Sequence, residues 1–124
     1  MLEISVTDQS ASELLAQAGV LAVVDFDAAP TERPKDPRHY VTPLAASSPV
    51  REVWSVADAG IGSAWSGNVA YSHCDDLLIG SLVLPDDGTD MESLAHEAYR
   101  ELMSWINTQE HRHLWRIWNY IRDI

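Results

Sequence analysis

Residues 68–107, NVAYSHCDDLLIGSLVLPDDGTDMESLAHEAYRELMSWIN, decide the fold. Asn68 to His73 has strand composition, with Val69, Tyr71 and His73 on one side. Cys74-Asp75-Asp76 makes a short polar turn, and Leu77 to Leu84 returns as the second arm of a hairpin. Gly80 interrupts that arm, which predicts a bulge or a close approach by another element. Pro85-Asp86-Asp87-Gly88 has turn chemistry, and Thr89 with Glu92 has capping-box spacing. The helix predicted from Asp90 to about Asn107 carries Leu94, Ala98, Leu102, Trp105 and Ile106 at three- and four-residue spacing. Glu97 and Glu101 face the other way. A single apolar stripe on a helix needs a sheet beneath it. The expected fold class is therefore α+β: a mixed or antiparallel β-sheet with one long amphipathic helix packed on it.

Working outward, Ser10 to Ala18 predicts a short helix, with Ser10 and Glu13 at capping-box spacing and Gly19 as its stop. Val20 to Phe26, VLAVVDF, is a continuous apolar run, which suits a strand covered on both faces. Residues 28–49 hold five of the six prolines and read as a Pro-rich loop, in which Tyr40 to Leu44 has room for a short edge strand. Val50 to Ala57 has strand composition, and Gly60, Gly62 and Gly67 punctuate the stretch after it. The last element, Leu114 to Ile121, alternates. Trp115, Ile117, Asn119 and Ile121 share one face, and Leu114, Arg116, Trp118 and Tyr120 the other. Large apolar groups on both faces predict a strand that is central or at a subunit interface.

The 124 residues fit one domain spanning 1–124. A net charge of -11 makes nucleic acid and anionic membranes poor partners. The basic residues are uneven: Arg100, Arg112, Arg116 and Arg122, with His111 and His113, crowd into the last quarter, where a local patch can attract a carboxylate. Solvated or ion-paired arginines are the plainer reading. One cysteine, Cys74, excludes an intramolecular disulfide. The N-terminus lacks the basic start and apolar run of a secretory signal, and no segment reaches the roughly 20 apolar residues of a membrane-spanning helix. A cytoplasmic protein is expected.

The segment His113 to Ile121, HLWRIWNYI, resembles the signature strand of chorismatases, the chorismate-hydrolysing enzymes of secondary metabolism. Arg116, Trp118, Asn119 and Tyr120 match its arginine and aromatic Trp-Asn-Tyr core. The hairpin at residues 68–86 and the helix after it repeat the family order. Arg122 stands where the family usually has proline. The resemblance covers the whole chain but only about the first third of a full chorismatase, and so implies the family's N-terminal domain, related in fold to RidA proteins. In that family the pocket and its general acid lie mainly in a second domain. The resemblance therefore implies a binding or interaction module acting as a homo-oligomer or beside a partner catalytic chain. The alternative is a fragment or split subunit of a chorismatase. The motifs of RidA-type imine deaminases are not recognisable.

A chorismatase ligand is a dicarboxylate, so a cationic clamp and an acid for the enol ether are required. Arg116 is the candidate clamp, with Asn119 and Tyr120 as donors beside it, for a small aromatic or carboxylate ligand. Against this, the Arg116 stem can simply pack between Trp115 and Trp118, and Asn119 and Tyr120 can satisfy backbone groups. No carboxyl has a distinctive setting as an acid. His111 and His113 lack an evident third ligand, and His96-Glu97 is not part of a His-Glu-x-x-His motif, so no metal site is expected, nor a cofactor. His73, Cys74 and Asp75 alternate across a turn, which favours a cysteine without a catalytic role. The glycines do not form a phosphate loop. Five tryptophans point to core filling or to an association surface.

Overall fold

The computed structural model describes residues 1–26, 33–42, 48, 50–75, 77–85, 87–110 and 113–119. In chain order the elements are β1 (Leu2–Thr7), α1 (Ala11–Leu15), β2 (Val20–Asp25), β3 (His39–Val41), β4 (Arg51–Val56), β5 (Gly62–Ser66), β6 (Val69–His73), β7 (Leu78–Leu82) and α2 (Met91–Asn107). The α+β class holds, with the strands divided between two sheets. The first is ordered β1-β4-β2-β3 and the second β5-β6-β7. All pairs are antiparallel except β2 with β3, which makes the first sheet mixed.

The apolar run of β2 is continuous because both of its faces are covered. On one side Val20 and Val23 cluster with Leu14 of α1 and Val53 of β4. On the other, Leu21 and Ala22 join Tyr40, Trp54 and Ala70 in the layer between the sheets. The pairing of β2 with β4 slips between Val20 and Ala22, a bulge at Leu21. The carbonyl of Leu21 is taken instead by the hydroxyl of Ser72 on β6, a residue with no exposed surface. Tyr40 reaches the same place: its hydroxyl donates to the Ile79 carbonyl at 3.3 Å and lies 3.4 Å from Ser72 Oγ. Burial pushes the Tyr40 hydroxyl pKa up to about 12, partly offset by the contact with Ser72.

Ser10 caps α1 as its sequence predicts, accepting from the Glu13 N–H at 3.3 Å, but the helix is shorter than expected. Arg38 explains its end. The guanidinium donates to the Leu15 carbonyl at 3.0 Å and to the Val20 carbonyl at 3.2 Å, while pairing with Asp36 at 2.7 Å. Hydrogen bonding to Arg38 holds the Asp36 carboxyl below its ordinary range. Part of the proline-rich stretch is thus fastened to the first sheet. Its edge strand is β3, which starts one residue before the expected Tyr40 and ends three before the expected Leu44. Residues 28–32, 43–47 and 49 of that stretch lie outside the described residues.

The hairpin and long helix stand where the sequence puts them. The cap of α2 is one residue later than the Thr89–Glu92 pattern: Asp90 accepts from the Ser93 N–H at 2.9 Å and the Ser93 hydroxyl at 2.8 Å. Gly80 proves to be a close approach rather than a bulge. A Cβ there would fall 2.6 Å from the Trp105 ring, so only glycine lets α2 seat its indole on β7. Tyr71 packs on the same indole at 5.4 Å. Glu101, expected in solvent, instead accepts from the Asn68 N–H at 2.9 Å and the Asn68 amide at 3.1 Å. It thereby ties α2 to the β5–β6 turn, where Gly67 adopts φ 57° as a tight hairpin requires.

The C-terminal segment differs from its sequence reading. Alternation predicts Leu114 to Ile121 as a strand covered on both faces, but among the described residues 114–119 pair with no strand and are mostly exposed; 120 and 121 lie outside the described residues. Over the central strands β2 and β4 the faces that could sandwich such a strand are already occupied. The first sheet is covered by α1 and the second sheet, and the indole of α2 lies on the second sheet.

Candidate functional site

The segment 113–119 carries the residues singled out from the sequence, and it is held by side chains rather than by a ladder. Trp118 stands edge-on to Trp54 of β4, with ring centroids 5.6 Å apart. Asn119 Oδ1 accepts the Tyr99 hydroxyl of α2 at 2.8 Å. The segment therefore bridges the first sheet and the long helix. Arg116 is exposed, its guanidinium carbon 5.5 Å from the Trp118 ring centroid. That is a loose cation–π contact which leaves its N–H donors facing water. Trp115 is open to solvent. The structure thus brings Arg116, Trp118 and Asn119 onto one short stretch, with the Asn119 amide oxygen engaged by Tyr99. Tyr120 lies outside the described residues.

A second constellation has no motif in the sequence. Asp25, buried at the end of β2, sits between His39 of β3 (Nε2 to Oδ2 3.0 Å) and Arg51 of β4 (Nε to Oδ1 3.3 Å). Arg51 also donates to the Asp8 and Gln9 carbonyls at 3.4 and 3.2 Å. A buried carboxylate needs such partners, and this one locks β3 and β4 against β2. Its one signal is an aspartate closing an otherwise apolar run, which demands a buried cation nearby. The parallel crossover that supplies His39 has no local signature.

His73 and Tyr71 form a shelf, with rings 24° from parallel and centroids 6.4 Å apart. The imidazole lies across Gly62, where a Cβ would meet it at 2.5 Å. With Leu78, Gln109 and Glu110 they line an open notch of about 180 Å³. Cys74 is buried beside it and its N–H donates to the Leu77 carbonyl at 3.0 Å, the setting of a turn residue. Among the described residues no three His, Cys, Asp or Glu side chains gather as metal ligands, and no helix is long and apolar enough to cross a membrane.

A family model described as chorismatase FkbO/Hyg5-like, N-terminal, matches residues 52–124. No curated protein and no solved structure matches the chain. The matched region runs from β4 through the hairpin and α2 to the Trp-Asn-Tyr segment, more than half of the sequence, and the protein therefore belongs to the chorismatase FkbO/Hyg5-like N-terminal domain family.

Proposed function

We propose that this chain is a non-catalytic binding and interaction module linked to chorismate-derived aromatic-acid secondary metabolism. In this reading it works in the cytoplasm, as a homo-oligomer or beside a partner catalytic chain. The observation that carries it is the Trp-Asn-Tyr segment of the family. It is fixed at Trp54 and Tyr99, yet presents Leu114, Trp115 and Arg116 to solvent. Exposed aromatics beside an exposed guanidinium suit contact with another molecule more than they suit packing. A small aromatic carboxylate would be held by Arg116 in two-point fashion, with Asn119 and Tyr120 as neighbours. Titrating the protein with chorismate and hydroxybenzoates, followed by tryptophan fluorescence, tests the ligand. Saturable binding lost in Arg116→Ala is expected. A flat titration, combined with no association with itself or with any chorismatase catalytic domain, would sink the proposal.

The second reading is a split subunit or fragment of a chorismatase that hydrolyses chorismate to pyruvate and a hydroxybenzoate or dihydroxycyclohexadiene acid. Membership of an enzyme family favours it. Pyruvate release from chorismate by the chain alone, above the buffer rate, would replace the non-catalytic reading with this one.

A further inference from the structure

Several of the large apolar side chains left exposed gather together. Leu2, Ile4 and Val6 alternate along β1 and so share one face. Ile4 lies opposite Trp54 in the antiparallel pair, which puts them on the same face. Trp54 meets Trp118, and the next residue, Asn119, is held by Tyr99. Met103 follows Tyr99 one turn along α2. An apolar band therefore runs from the β1 edge across the Trp-Asn-Tyr segment to the helix. Along it Val6 is 69%, Ile4 51%, Trp118 47% and Tyr99 39% exposed, while Trp115 on the same segment is 77% exposed. A continuous band of this kind marks an interaction site rather than ordinary surface.

We infer that this band is a self-association surface whose occupant is a second copy of this chain; the inference rests on the interaction-module reading above. Charge selects the occupant. Residues 1–110 carry 18 acidic and 5 basic side chains, whereas residues 111–124 carry three arginines against one aspartate. On the band side of β1 the charges are acidic: Glu52 lies opposite Val6 and Asp8 directly follows the strand, while Glu3 alternates to the reverse face and Arg51, opposite Thr7, is paired with Asp25. A two-fold contact sets Arg116 of each copy against Asp8 and Glu52 of the other. The band is thereby covered twice by one arrangement.

Sedimentation velocity on the full chain over a concentration series tests this. The wild type is expected to sediment as a dimer. Ile4→Glu, Trp115→Ser and Arg116→Glu are each expected to weaken the dimer about tenfold or more. Val83→Ser, an exposed site that belongs to neither β1, α2 nor residues 113–119, should leave it unchanged. All four positions are exposed, and an unaltered far-ultraviolet circular dichroism spectrum establishes that each variant is folded. A wild type that stays monomeric at every concentration overturns the inference, as does a dimer indifferent to the three band substitutions. A monomer that still binds aromatic acids would overturn self-association while leaving the proposed function intact.

Discussion

Replacing Ser72 by alanine tests the junction between the two sheets. The bulge at Leu21 takes that carbonyl out of the β2–β4 ladder, and the Ser72 hydroxyl reaches it from β6. Ser72 has no exposed surface and Leu21 almost none, so water is poorly placed to replace the lost donor. Ser72→Ala should therefore cost the desolvation of a buried acceptor, about 1–3 kcal/mol. That is a large share of a total stability on the order of 5–15 kcal/mol. The assay is equilibrium urea unfolding followed by tryptophan fluorescence, compared at constant m-value. Ser63→Ala, on the exposed β5 residue paired with Ser72, is the control and should change stability by less than about 0.5 kcal/mol. Tyr40→Phe removes the neighbouring hydroxyl, and because the groups touch, the double variant should depart from additivity. If Ser72→Ala matched the Ser63→Ala control, the hydroxyl would not be holding the bulge and the account of the junction would be wrong.

Gly80→Ala should destabilise by about 1–3 kcal/mol, because the new methyl meets the Trp105 ring; thermal unfolding and the near-ultraviolet signal of that indole report it. The Tyr40 hydroxyl, with its pKa raised to about 12 by burial, keeps its proton in the folded chain where the unfolded chain has lost it. Stability should thus be whole below about pH 10 and fall by roughly 2–3 kcal/mol as pH climbs to about 12. Tyr40→Phe should lessen that alkaline loss, and an unchanged profile would count against it. At the acid end, hydrogen bonds from Ser93 and Arg38 hold the Asp90 and Asp36 carboxyls below their ordinary value of 3.8. Their contribution is complete above that pH and disappears as pH falls through the lowered values. The melting temperature of Asp90→Ala should accordingly lie below that of the wild type at neutral pH and converge with it in acid.

Local chemistry makes the hairpin and helix legible. The period-two arms, the polar turn and the three- and four-residue stripe of α2 are each written within a dozen or so residues. Strand β5 is hidden because Gly62 and Gly67 read as punctuation, although one makes room for His73 and the other turns the hairpin. Strand β1 escapes notice even though Leu2, Ile4 and Val6 alternate, since six residues before a helix cap carry little weight alone. The misreading of 114–119 has a different cause. Alternation of Trp115 and Ile117 with Leu114 and Trp118 specifies which side chains share a face, but not whether a neighbouring strand is there to meet them. At the candidate site, Arg116 and Asn119 are legible as a linear motif. The grouping of Asp25, His39 and Arg51 is not, because a parallel pairing and an antiparallel one bring them together from distant parts of the chain.

The pairing of β1 with β4 has a consequence for the order of assembly. Among the described residues, β1 finds its hydrogen-bonding neighbour only in Arg51–Val56, which is synthesised later, so it must wait, unpaired, while the intervening segment is made. Closing so long a loop comes late, after β2 and β4 have met. Amide protons of Leu2–Thr7 should then exchange with solvent ahead of those in β2, and this outermost strand should be the first to peel away under denaturant.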